Sequence, residues 1–152
     1  MREVIVAAAQ MGPIQKKDSR DKVVSRMLVL MNEAKAADAN FIVYPELTLT
    51  TFFPRHYMED QNEVNFWFET EMPNDSVFPL FHQAQSYEMA MTFGFAELTP
   101  MGEHFNTSIH IDKTYIYIVC HNETYKTNNL SEICKIKFTD HSDIEVIKTN
   151  FS

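Results

Sequence analysis

The chain has 152 residues, 45% of them hydrophobic and 12% aromatic, a composition that excludes a disordered polypeptide and suits one domain of roughly 100 to 200 residues. Its formal net charge of -8 repels polyanions, and no cluster of Lys and Arg with interleaved aromatics offsets it, which argues against nucleic-acid binding. No apolar run approaches the roughly 18 residues of a membrane span, and the apolar opening is broken by Gln10 and Gly12-Pro13 before a signal-peptide core forms. A cytoplasmic protein with no membrane partner is therefore expected, its two cysteines, Cys120 and Cys134, being free thiols.

Residues 3–9 read as a first strand, where β-branched Val4, Ile5 and Val6 favour a covered position. A helix follows, capped by Asp18 or Ser19, with Asp21 complementing its dipole and Val23, Val24, Met27, Leu28, Met31 and Ala34 forming one apolar face. A turn at 38–40 leads into a buried strand at 41–44. Pro45 has no amide hydrogen and is expected to end that ladder, leaving Glu46 at the mouth of the sheet, where active sites of layered α/β proteins gather. The strand-helix-strand order predicts a right-handed parallel crossover.

Residues 48–79 are aromatic-rich and irregular, with a short helix predicted over 63–68 and a loop at Pro73-Asn74-Asp75. Ser76 is placed to cap a helix running to about Glu88 that buries Leu80, Phe81 and Ala84, followed by a strand over 89–97. A turn over 98–103 leads to a strand along which Phe105, Thr107, Ile109 and Ile111 alternate. After Lys113 the composition changes: the tail contains no Ala, Gly, Pro or Met, although the chain has nine Met, six Pro and three Gly. The boundary expected from this shift separates 1–113 from a divergent tail, 114–152, with one strand at 115–119 and irregular chain beyond it.

Tyr44-Pro45-Glu46-Leu47 after an apolar strand, with Thr50-Thr51-Phe52-Phe53-Pro54-Arg55 downstream, resembles the carbon-nitrogen hydrolase (nitrilase) superfamily, and most closely its N-carbamoyl-D-amino acid hydrolase branch. Ala7-Ala8-Ala9-Gln10-Met11-Gly12-Pro13-Ile14, Phe68-Glu69-Thr70-Glu71-Met72-Pro73, Gly94-Phe95-Ala96-Glu97-Leu98 and Phe105-Asn106-Thr107-Ser108 extend the likeness in order over residues 4–113. The resemblance implies an α/β fold of which this chain supplies the N-terminal part, an incomplete αββα sandwich. It further implies no cofactor and a small-molecule substrate, an N-carbamoyl amino acid or an amide. A homo-oligomer is left open.

The family's chemistry needs a general base, a nucleophile and fixed positive charge where an oxyanion develops, supplied respectively by a glutamate, a cysteine and a lysine. Glu46 matches the glutamate. Lys126, in Thr124-Tyr125-Lys126-Thr127, is the nearest echo of the lysine, its alternative being a solvated surface residue. Neither Cys120 nor Cys134 has the nucleophile's context, so the nucleophile is unassigned. The expectation is a truncated family member inactive by itself. The alternatives are a non-catalytic partner of a full-length relative and a hydrolase that uses Cys134.

Elsewhere, His104, His110, His121, His141 and Asp140 show no metal spacing. Phe52, Phe53, Phe66, Trp67 and Phe68 either line a pocket or pack a core. Arg55 either meets a substrate carboxylate or makes an ordinary ion pair.

Overall fold

The computed structural model describes residues 3–112 with their side chains and the backbone of three later strands. In chain order the elements are β1 (Val6–Ala8), α1 (Arg20–Ala36), β2 (Phe41–Leu47), a short 3-10 turn (Phe53–Arg55), α2 (Gln61–Asn65) and α3 (Phe78–Tyr87). They continue with β3 (Ala90–Leu98), β4 (His104–Ile111), β5 (Ile116–Cys120), β6 (Glu123–Thr127) and β7 (Glu145–Ile147). All seven strands join one sheet in sequence order. β1, β2 and β3 run parallel, and every later neighbour is antiparallel. The α/β class expected from the sequence is thus observed, as one sheet with α1 and α3 packed on one face.

Both crossover helices are positioned by their apolar faces. The amide of Lys22 donates to Ser19 Oγ at 3.3 Å, so Ser19 caps α1, and Val23, Val24, Met27, Met31 and Ala34 are buried against the sheet. Ile42 and Tyr44 of β2, Met91, Phe93 and Phe95 of β3, and Ile109 and Ile111 of β4 face them, because side chains alternate along a strand. The Tyr44 hydroxyl donates to the Met27 carbonyl at 2.7 Å, and burial raises its pKa, which keeps it a donor. Leu80, Phe81 and Ala84 of α3 complete this layer, with Phe81 edge-on to Phe93.

Several local expectations are corrected. Pro45 does not end the ladder: β2 continues through Glu46 to Leu47, and the register with β3 shifts between Val43 and Leu47. A proline within a register shift faces no partner that needs its missing amide hydrogen. Val4, Ile5 and Val6 are exposed, not covered. β1 is an edge strand, and among the described residues no element covers the sheet face to which Val6 points. Ser76 does not cap α3, whose N-cap residue is Val77 with no side-chain cap bond; Asn74 braces the turn before it, its Oδ1 accepting from Val77 N at 3.2 Å and its carbonyl from Phe78 N at 2.9 Å.

The short helix begins and ends earlier than the apolar pattern suggests. Asp60 accepts from Asn62 N at 2.9 Å and starts it, so Trp67 and Phe68 lie in the turn after it. Beyond residue 113, β6 and β7 stand where the sequence pattern gives no regular element. Among the described residues no helix is long and apolar enough to cross a membrane.

The contact that fixes the mouth of the sheet is made by a glycine. A Cβ on Gly94 would stand 2.7 Å from the carbonyl oxygen of Glu46 and 3.1 Å from its Cα, inside any tolerable contact with backbone. Only a residue without a side chain lets β3 pass this close to β2. Gly94→Ala should lower stability by about 1 to 3 kcal/mol through this overpacking. Urea unfolding of the variant beside the wild type checks it.

Candidate active site

Glu46 leaves the end of β2 on the open side, with its backbone held on both sides. Its carbonyl accepts from Thr48 N at 2.6 Å, Thr48 N also reaches Gly94 O at 3.2 Å, and the Thr48 hydroxyl donates to the Pro45 carbonyl. The carboxylate is exposed, and Asn106 of β4 donates its Nδ2 to Oε1. Among the described residues no hydrogen bond is seen to Oε2. One oxygen, Oε1, is thus held by a neighbouring amide while Oε2 keeps its lone pairs open among the described residues, as a general base requires.

The carboxylate lines a cleft of about 690 Å³ on the sheet face opposite the helices, together with Val43, Thr92, Gly94, Asn106 and Ser108. Asn106, Ser108 and His110 share this face because they alternate with buried Thr107, Ile109 and Ile111. At its rim, His104 Nε2 lies 2.6 Å from Asn65 Oδ1 and 3.3 Å from Gln61 Nε2, and its ring meets Phe68 edge-on at 4.6 Å. His104 therefore ties α2 to β4. A second hollow, of about 550 Å³, opens at the other ends of the strands, beside Lys35, Asn40 and His110.

The remaining sequence candidates are dispersed. Lys126 lies on β6 in a row that runs through Tyr117, His110 and Thr92 to Val43. Four strand spacings of about 4.8 Å put its backbone roughly 19 Å from β2 across the sheet. Its side chain, and that of Cys120 at the end of β5, lie outside the described residues, as does all of Cys134, His121, His141 and Asp140. Phe53 is buried and stacks on Trp67 at 6.2 Å with an interplanar angle of 7°, whereas Phe52 and Phe66 are exposed. Arg55 is exposed, its Nε 3.4 Å from His56 Nε2. His110 packs edge-on against Phe41 at 5.3 Å, and burial lowers its pKa while Asp112 opposes this. Among the described residues no group of three or more His, Cys, Asp or Glu could hold a metal ion.

Two arrangements were not anticipated as site features. Asn106 belongs to Phe105-Asn106-Thr107-Ser108, and only the β3–β4 hairpin register reveals that it meets Glu46, 60 residues away. The other is a half-buried polar knot, centred on buried Glu69, behind the loop that follows Glu46. Arg20, the first residue of α1, donates Nη1 to the Leu49 carbonyl and pairs through Nη2 with Oε1 of Glu69, whose Oε2 accepts from Asn74 Nδ2 at 2.7 Å. Glu69 is itself fixed to β3, its amide donating to Ala96 O at 2.7 Å and its carbonyl accepting from Leu98 N at 2.9 Å. Glu97, its bridge partner on β3, accepts from the Thr107 hydroxyl.

A sheet with α1 and α3 packed on one face and a carboxylate at the mouth of a parallel strand is a layered α/β arrangement of the kind that gathers active sites at its strand ends. Residues 5–151 match the model of the Carbon-nitrogen hydrolase family, and the chain belongs to that family. The fold is shared with a carbon-nitrogen hydrolase from Helicobacter pylori G27 at a TM-score of 0.58 and 17% identity, over 78% of this chain and 40% of that one. An N-terminal amidase with an Asn-Glu-Ala peptide matches at 0.55 and 13% identity, over 71% of this chain and 25% of that one. A glutamine-dependent NAD(+) synthetase from Cytophaga hutchinsonii matches at 0.52 and 18% identity, over 76% and 19% respectively. The chain thus spans two fifths or less of the length of these solved structures.

The polar knot carries a pH dependence of definite sign. Burial raises the Glu69 carboxyl above its ordinary value of 4.5, and the Arg20 guanidinium and the Asn74 amide oppose it only in part. Glu71 and Asp75 share the adjoining hollow and add no compensating positive charge. A carboxyl with a raised native pKa holds a proton that the unfolded chain has released. Its contribution to stability is therefore full below 4.5 and is lost as pH rises through the native value. Glu69→Gln mimics the protonated group, so near neutral pH it should be at least as stable as the wild type. The difference should shrink as pH falls toward 4.5, as melting temperatures of both proteins across that range would reveal.

Proposed function

We propose that this chain carries the general-base part of a thiol-dependent hydrolase of N-carbamoyl-D-amino acids, with Glu46 as the base. The supporting observation is the carboxylate itself, presented at the C-terminal end of a parallel strand into an open cleft, with one oxygen held by Asn106 and the other without a hydrogen bond among the described residues. In the reaction class, such a base takes the proton of an attacking thiol. The thiolate then adds to the ureido carbon, and ammonia leaves from the resulting tetrahedral intermediate. The substrate class rests on the sequence resemblance around Glu46, Glu69 and Asn106. Lys126 enters only as the sequence's candidate for the positive charge, and its strand row offers the assignment no support.

With no assigned nucleophile, the purified chain should release no ammonia from an N-carbamoyl-D-amino acid above the uncatalysed background, because no acyl-enzyme can form. Binding is the direct test of the base site. Titration with the same compound should shift the amide resonances of Gly94, Asn106 and Ser108, and Glu46→Gln should alter the response. An equal response to a peptide with an N-terminal asparagine would remove the proposed substrate class. Ammonia release abolished by both Glu46→Gln and Cys134→Ala would replace this reading with that of a complete thiol site within the chain.

A further inference from the structure

We propose that Arg20 is a positioning residue for Glu46, its guanidinium fork holding the loop that follows Glu46 against the fixed carboxylate of Glu69. The loop needs an external tie. Thr48, Leu49, Thr50 and Thr51 are all buried, at 1%, 2%, 7% and 1% exposure. Yet the hydroxyls of Thr50 and Thr51 have no hydrogen-bond partner among the described residues. Buried polar groups left unmatched make a segment costly to keep in place, so something outside the segment must supply the compensating bonds.

Arg20 is so placed. One prong of its guanidinium donates to the Leu49 carbonyl, and the other pairs with Glu69. Glu69 cannot yield, because its backbone is bonded to Ala96 and Leu98 of β3 and its second oxygen to Asn74, which is itself bonded to the Val77 amide in the turn before α3. The fork therefore joins the loop to the same strand, β3, whose Gly94 abuts the Glu46 carbonyl. A shift of the loop moves Thr48, whose amide and hydroxyl bond the Glu46 and Pro45 carbonyls, and so changes the direction in which the Glu46 carboxylate meets Asn106. Burial of Glu69 outweighs the pull of Arg20 on its ionisation, so the pair is a weak source of stability. Geometry is then the better account of what it does.

The inference rests on the reading of Glu46 as the base, but its test uses no substrate, so its failure is separable from failure of that reading. Lysine keeps the charge opposite Glu69 yet has no fork with which to reach both partners. Arg20→Lys should keep its melting temperature within about 2 °C of the wild type. Its Thr48 and Phe53 amides should exchange with solvent about tenfold faster, while the ladder amides of β3 and β4 stay as protected as before. The side-chain amide resonances of Asn106 should move toward their positions in Glu46→Ala, since they report the carboxylate directly. Arg20→Met should lose both the loop protection and the melting temperature. Unchanged loop exchange in Arg20→Lys would overturn the proposal. So would faster loop exchange with unmoved Asn106 resonances, which would show that Glu46 keeps its place without the fork.

Discussion

The approach of β2 to β3 at Glu46 and Gly94 is the constraint on which the rest of the mouth of the sheet depends. Two strands cannot come this close with a side chain between them, and the would-be Cβ at 2.7 Å from the Glu46 carbonyl leaves no alternative to glycine. The register shift between Val43 and Leu47 follows from the same crowding, and it absorbs Pro45, which could not serve in a regular ladder. A carboxylate placed within the shift is re-aimed out of the ladder and into the open cleft. Register irregularities are found beside active sites for this reason.

Energetics and chemistry are divided between the two faces of the sheet. The buried layer consists of α1, α3 and the alternating residues Ile42, Met91, Phe93, Phe95 and Ile109, and each large side chain removed from water there contributes about 1.5 to 3 kcal/mol. The open face carries Glu46, Asn106 and Ser108, which contribute little burial. Residues that serve the site directly can therefore change without emptying the core. The polar knot of Arg20, Glu69 and Asn74 is the exception, since its centre, Glu69, is buried and it reaches the loop that bears on the base.

The sequence made the first half of the fold legible because its signals are local. Three- and four-residue spacing marked α1, two-residue alternation marked β4, and Ser19 marked a helix start. Pro45 misled because its local rule, no amide hydrogen, holds only where the ladder needs one, and register is a property of two strands. Val4, Ile5 and Val6 misled because strand propensity says nothing about which face finds a cover. Ser76 misled because α3 starts without a side-chain cap, and the loop geometry instead brings the Asn74 side chain back to the Val77 amide. Glu46 could be singled out from one stretch of chain, whereas Asn106 and Arg20 could not. Their partners are 60 and 29 residues away, joined only by the hairpin register and the helix-loop contact.

The arrangement also explains why so exposed a base can still be directed. A lone glutamate on a strand end samples several rotamers, and fixing one of them loses side-chain entropy of order 1.5 kcal/mol. Here the loss is met in parts: Asn106 holds one oxygen, Thr48 fixes the backbone on either side of Glu46, and Gly94 forbids the strand to slide. None of these contacts buries the carboxylate or removes it from water. A base that must take a proton and give it up again needs that combination of a fixed direction and an open second oxygen, and a carboxylate already engaged on both oxygens, as Glu69 is by Arg20 and Asn74, could not supply it.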